Sequence, residues 1–256
     1  MKTIAVFASA SDRVSKKKKK QAYNIGRILG KADWKLIYGA GECGLMKQIV
    51  DGYLSTSPPC KPFGSTTKYI SEIEKSAGQG KIHQVTCRSM SERKQLYMLA
   101  DVVLVIPGGN GTTDELFEFL TYKQLALEAK KRGEEAQTWN GNILLLRAGV
   151  WESYVHLWEN MYKQKMAPDW RNMVEIVEVG DLRYCLTDYI AKRKSMLLPN
   201  DRTGEVVYGG PYKAVPSRYV WNPVLCSEIC VKCESVAEHV PGVGWYCTNE
   251  ECFGNL

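Results

Sequence analysis

One segment limits the possible folds more than any other: an apolar run, Val102 to Ile106, followed by Pro107-Gly108-Gly109-Asn110-Gly111-Thr112-Thr113-Asp114-Glu115. The apolar run has the composition of a buried strand. After the glycines, Leu116, Phe119, Leu120 and Leu127 fall on one helical face. A glycine-rich turn therefore joins a strand to a helix. Glycines let backbone approach a ligand closely, and a helix start offers unpaired N–H groups and the positive end of a dipole. Such a turn can cradle phosphate; alone, it is also compatible with a tight corner. Glu115 follows about one turn into the helix, within reach of whatever the phosphate carries.

The same grammar recurs along the chain. Thr3 to Phe7 reads as a first strand, ending in small polar residues that include Ser9. Lys16 to Lys20 leads into Ala22, Ile25, Ile28 and Leu29 at helical spacing, which makes the lysines a solvated helix face. Lys35 to Tyr38 is a second strand. It runs into Gly39-Ala40-Gly41-Glu42-Cys43-Gly44 and a helix from Leu45 to Tyr53. This is formally a G-x-G-x-x-G turn, but a dinucleotide site also wants an acid about 20 residues on, at the end of the next strand. Ser57 to Pro62 supplies neither acid nor strand, so an ordinary NAD site is excluded. Residues 54–80 read as a loop around a short helix, Tyr69 to Lys75. Further expected elements are a strand Gln84–Cys87, a helix Met90–Ala100 and a strand Ile143–Leu146. A helix Trp151–Tyr162 follows, with a Val155, Leu157, Trp158, Met161 face, then a strand Val174–Val177 and a helix Leu182–Lys192. Alternating strands and helices predict an α/β fold: a Rossmann-like parallel sheet with helices on both faces, binding ligand at the carboxyl ends of its strands.

The expected organisation is a nucleotide-binding domain over residues 1–195, a proline- and tyrosine-bearing linker packed on the core over 196–225, and a small zinc ribbon over 226–256. Cys230-x2-Cys233 and Cys247-x4-Cys252 form two close thiol pairs, a set suited to tetrahedral zinc. So short a module buries too little apolar surface to fold without metal. Cys226 is an alternative first ligand and His239 a weaker one. The four-cysteine string resembles the zinc module of bacterial DNA ligases. Yet Lys232 is the only Lys or Arg in 226–256, against Glu228, Glu234, Glu238, Glu250 and Glu251, so a structural or protein-contact role is preferred over nucleic-acid binding. With nine cysteines but no secretion signal or membrane-length apolar window, the expected setting is cytoplasmic, with reduced thiols and no membrane partner.

Met90-Ser91-Glu92-Arg93-Lys94, the Pro107-Gly108-Gly109-x-Gly111-Thr112-x-x-Glu115 turn and Tyr38-Gly39-Ala40-Gly41-Glu42-Cys43-Gly44-Leu45-Met46 occur in that family's order in a chain that resembles the Lonely Guy cytokinin-activating phosphoribohydrolases, long labelled lysine decarboxylases. The resemblance spans roughly residues 3 to 180. It implies a homodimer that hydrolyses the N-glycosidic bond of a nucleoside 5′-monophosphate without a catalytic cofactor. It makes Arg93 and Glu115 the catalytic pair. Gly108, Gly109, Gly111 and Thr112 would hold phosphate, and Met90, Lys94, Ser9, Gly39, Gly41 and Gly44 would line the substrate site. Departures include Lys47 where glycine is common and a shortened spacer after Arg93; they leave the base undefined. Two alternatives are a nucleotide sensor or carrier of the same fold, and a nucleic-acid-associated protein using the lysine run and ribbon.

Overall fold

The computed structural model describes residues 2–74, 80–136, 138–187 and 189, and the backbone of four later strands. The chain divides into two units, Lys2–Pro211 and Tyr212–Leu256 with Met1.

The first unit is built on seven strands: β1 Lys2–Phe7, β2 Trp34–Tyr38, β3 Phe63–Thr67, β4 His83–Cys87, β5 Val102–Val105, β6 Asn142–Leu146 and β7 Val174–Val177. All neighbouring pairs are parallel, in the order β4-β3-β2-β1-β5-β6-β7. The chain winds outward from β1 to β4, returns to lay β5 beside β1, and winds out the other way. Crossovers of opposite sense leave a crevice between the carboxyl ends of β1 and β5, where ligands bind in sheets of this kind. The turn after Val105 and the segment after Phe7 both open there.

Strand periodicity sorts the core into two layers. Ile4, Val6, Trp34, Leu36, Tyr38, Leu104 and Leu144 face one way, against α1 (Lys16–Lys31), α2 (Gly44–Leu54) and the helical residues 182–187. Phe7 faces the other way and meets Tyr97 and Phe119, with ring centroids 5.2 and 5.4 Å away. Phe119 lies on α5 (Asn110–Lys131) and packs on Trp139 in turn. Helices thus cover both faces, as a parallel sheet requires. On α1, Lys16, Lys17, Lys18 and Lys20 are exposed while Ala22, Ile25 and Leu29 are buried, matching the solvated face expected of the run.

Three expectations need correction. Residues 54–80 are not a loop around a helix: they contain β3, paired with both β2 and β4. Phe-Gly-Ser-Thr-Thr lacks an apolar run, yet every residue of it is buried, because neighbouring strands, not local hydrophobicity, hold it in place. The helix expected over Met90–Ala100 is α4, Met90–Gln95, continued by a 3₁₀ turn at Leu96–Leu99. On α6, Glu152–Lys163, Trp158 is buried but Leu157 is 45% exposed, so Leu157 lies off the packed face. The short helix is α3, Lys68–Glu74.

The second unit contains β8 Tyr219–Asn222, β9 Ser227–Cys230, β10 Val236–Val240 and β11 Gly244–Cys247, an antiparallel sheet in the order β11-β10-β9-β8. β8 falls inside the segment read as linker and pairs with β9. The rest of that linker, residues 196–218 and 223–225, lies outside the described residues. Because β9 and β11 both run antiparallel to β10, they end on the same side of the sheet. Their last residues are Cys230 and Cys247.

Candidate functional site

Three segments meet at the β1/β5 crevice, and the loop after β1 ties them together. The Ser9 N–H donates to the Pro107 carbonyl (3.3 Å), and the Ser9 carbonyl accepts from Leu45 N–H (2.8 Å). Asp12 Oδ1 accepts from Gly44 N–H at 2.9 Å, where Gly44 sits at φ 56°. One short loop therefore fixes both glycine turns. Ser9 acts here through its backbone; its hydroxyl accepts from Ser11 N–H.

The first turn leads into α5 with Gly109 at the N-cap, no capping side chain and no acid in the first helical turn. The N–H groups at this helix start are thus left to a ligand or water, at the positive end of a 22-residue helix. Gly108 is required for packing: a Cβ there would collide with the Thr112 side chain, which is buried. At Gly109 and Gly111 a Cβ would meet no described atom within 4 Å. So one glycine of the turn lets Thr112 fold back, and the other two border open space.

Arg93 reaches the same place from α4. Ser89 Oγ accepts from Glu92 N–H (3.1 Å), and Glu92 Oε2 accepts from Arg88 N–H (2.7 Å). This near-reciprocal cap starts the helix and directs Arg93 inward. Arg93 is only 6% exposed. Its Nε donates to the Ser65 carbonyl of β3 (3.0 Å), its guanidinium lies 5.6 Å from the Tyr97 ring centroid, and Nη1 stands 3.5 Å from Glu115 Oε1. A Cβ on Gly39 would come within 2.5 Å of Arg93 Nη2, so the second glycine turn makes room for the guanidinium.

Glu115 is buried, and burial pushes its carboxyl up to about 7; Arg93 pulls it down, Asp114 and Glu74 push it further up, and Lys94 opposes them. Desolvation wins over a single guanidinium at 3.5 Å. Lys94 is placed otherwise: its Nζ meets Glu118 at 2.7 Å and Asp114 at 3.2 Å, fastening α4 to α5. Met90, at the start of α4, is 44% exposed. Arg93, Glu115, Gly39 and the start of α5 are thus brought together, while Lys94 is held in a structural ion-pair cluster.

Glu74, Asp12 and Tyr97 were missed from the sequence. Glu74 and Asp12 carry no motif. Ala40, at φ 61° between Gly39 and Gly41, is a non-glycine residue in the left-handed region, which has no sequence signature. Among the metal candidates, Cys230 and Cys247 end β9 and β11, His239 lies within β10 opposite Trp245, and Cys226, Cys233 and Cys252 lie outside the described residues. The described side chains hold no cluster of three or more His, Cys, Asp or Glu suited to a metal. No helix among the described residues is long and apolar enough to cross a membrane.

This geometry has relatives. A cytokinin riboside 5′-monophosphate phosphoribohydrolase of Rhodococcoides fascians is 29% identical over 130 residues, covering 50% of this chain and 65% of that protein. One from Arabidopsis thaliana is 28% identical over 144 residues, covering 52% and 60%. The chain thus spans less than two thirds of each relative. Among solved structures, the molybdenum cofactor binding protein of the phototrophic bacterium Rippkaea orientalis aligns with a TM-score of 0.51 at 18% identity, over 74% of this chain and 97% of that one. The Moco carrier protein of Chlamydomonas reinhardtii aligns with a TM-score of 0.50 at 15% identity, over 75% and 98%. At such identities these two show a shared fold. The profile of the family described as "possible lysine decarboxylase" matches residues 46–178, more than half of the chain, including Arg93, the Pro107–Thr112 turn and Glu115, so the chain belongs to that family, the one that includes the Lonely Guy phosphoribohydrolases.

Proposed function

We propose that the protein hydrolyses the N-glycosidic bond of a nucleoside 5′-monophosphate, giving free base and ribose 5-phosphate. The observation that carries this reading is the buried Arg93–Glu115 pair beside the uncapped start of α5, at the switch point of the sheet. The 5′-phosphate takes the helix-start N–H groups, where the dipole favours an anion. As the bond between C1′ and the base nitrogen stretches, positive charge develops on the ribose; the Glu115 carboxylate stabilises it and orients the water that adds to C1′. That water loses one proton, and the departing base nitrogen gains one. Arg93 holds Glu115 in place and offers further N–H donors to phosphate or base. The names of the relatives support this reaction class and leave the base open.

The test is chromatography of the purified protein incubated with each common ribo- and deoxyribonucleoside 5′-monophosphate and with a cytokinin riboside 5′-monophosphate. Free base should appear with at least one of them. Glu115→Gln should still bind that nucleotide and turn over at least about a hundredfold more slowly, since a preorganised charge is removed. No base from any nucleotide, with one of them raising the melting temperature, would replace the hydrolase by a sensor or carrier.

We also propose that Cys230, Cys233, Cys247 and Cys252 hold a structural zinc. In support, both thiol pairs start where β9 and β11 end, on one side of the sheet. The purified full chain should carry about one zinc, and Cys247→Ser should lose it. Metal-free protein with an intact β8–β11 sheet would refute the assignment.

A further inference from the structure

A phosphate turn works best when its N–H groups are already in place, because a donor that must be ordered as the anion arrives gives back part of its binding in lost entropy. The turn here begins well anchored. The Pro107 carbonyl accepts from Ser9 N–H, and Gly108 is packed against Thr112. Its far end differs. Gly109 is the N-cap of α5 with no capping side chain, and a Cβ there would meet no described atom within 4 Å. Backbone entropy loosens such a glycine more than any other residue type.

Two hydroxyls constrain it. The Gly109 carbonyl accepts from Thr113 N–H at 3.0 Å and from Thr113 Oγ1 at 3.2 Å. Thr113 Oγ1 in turn lies 3.3 Å from the Tyr154 hydroxyl on α6. A carbonyl only accepts, so the Thr113 proton is committed to Gly109 and the Tyr154 hydroxyl is the donor to Thr113. The bonds run from Tyr154 to Thr113 to Gly109, and successive hydrogen bonds of this kind polarise and strengthen one another. The Gly109 carbonyl shares a planar trans peptide with the Asn110 N–H, and the two point opposite ways. Holding the carbonyl along α5 therefore aims the Asn110 N–H out of the helix start.

Tyr154 is itself firmly held. Its ring centroid lies 5.7 Å from that of Phe117 on α5, 5.8 Å from that of Trp151 and 6.5 Å from that of Trp158. These rings lock α6, which follows β6, onto α5, which follows β5. The hydroxyl thus has a set position, and it can be removed while the ring packing stays.

We propose that Tyr154 is a positioning residue for the phosphate turn: through Thr113 it fixes the Gly109–Asn110 peptide with its N–H toward the 5′-phosphate. The inference rests on the phosphate-binding part of the reading above, not on bond cleavage.

The test compares the parent with Tyr154→Phe, Thr113→Val, Thr113→Ser and the Tyr154→Phe/Thr113→Val double variant. Calorimetry reads the binding of ribose 5-phosphate, kinetics read KM and kcat on the nucleotide the parent cleaves, and melting temperatures report folding. Tyr154→Phe should weaken ribose 5-phosphate about three- to tenfold and raise KM by a similar factor, with kcat within about twofold, because a phosphate contact is the same before and during bond breaking. Thr113→Val should lose at least as much, whereas Thr113→Ser keeps the hydroxyl and should bind within about twofold of the parent. The double variant should bind no more weakly than Thr113→Val alone, since the Tyr154 hydroxyl acts through Thr113. Unchanged ribose 5-phosphate binding in a folded Tyr154→Phe, additive losses in the double variant, or a fall in kcat at constant KM would overturn the assignment. A parent that binds ribose 5-phosphate but releases no base would remove the hydrolase reading and leave the Tyr154 role to be decided by the binding comparison. A parent that does not bind ribose 5-phosphate would overturn the phosphate turn and the role of Tyr154 together.

Discussion

Replacing Glu115 by glutamine tests whether burial or the ion pair governs this carboxyl, and the readout is stability against pH. The carboxyl rises from an ordinary 4.5 to about 7 in the folded chain, with burial the largest cause. Between those two values the folded protein binds a proton that the unfolded chain does not. Stability therefore falls as pH rises through the window, and is constant with respect to this group below 4.5 and above 7. Each tenfold change in proton affinity is about 1.4 kcal/mol, so the full loss is about 3 kcal/mol. The neutral amide that Glu115→Gln introduces has no charge to desolvate and no such loss. Arg93 keeps its charge throughout, along with the Ser65 carbonyl and the Tyr97 ring; any cost of leaving it less well paired is a constant offset. Urea unfolding of parent and variant from about pH 4 to pH 8, followed by tryptophan fluorescence, should show the parent losing about 3 kcal/mol relative to the variant as pH rises. In a thermal scan this corresponds to a relative drop of roughly 6–12 °C. A flat difference, or one in which the parent gains with pH, would mean that the guanidinium at 3.5 Å outweighs desolvation. The account of Glu115 given above would then be wrong.

Activity should rise with pH through about 7, because Glu115 must be ionised to stabilise the ribose cation, and this limb should vanish in Glu115→Gln; a rate flat from about pH 5 to 8 would count against the role. The two kinds of glycine in the phosphate turn should part company on substitution. Gly108→Ala forces a Cβ into the Thr112 side chain and should cost about 1–3 kcal/mol of stability. Gly111→Ala meets open space at the start of α5, so it should leave the melting temperature unchanged or slightly raised while weakening nucleotide affinity, read by calorimetry.

Local sequence was a good guide wherever a segment's environment is written in its own residues. Val102 to Val105 is apolar because β5 is covered on both faces, so the strand and the turn after it could be read directly. Glu115 could be read from its place one turn after the glycines, whereas Arg93 was reached through motif order. β3 could not be read in this way: Phe63–Thr67 is buried by its neighbours and keeps hydroxyl residues, and the Ser65 carbonyl there accepts from Arg93.

The alternation of strands and helices, the two glycine turns and the paired cysteines were legible along the chain, because each depends on residues close to one another in it. That both turns open at the carboxyl ends of strands was also legible; the strand order that puts β5 beside β1 was not, since it does not follow chain order. Folding also engages Lys94 with Asp114 and Glu118, places Gly39 where it clears room for Arg93, and brings Glu74 against the second glycine turn at Gly41. These are consequences of which side chains exclude water from which others. Desolvation depends on the three-dimensional neighbourhood, and no spacing along the chain encodes it.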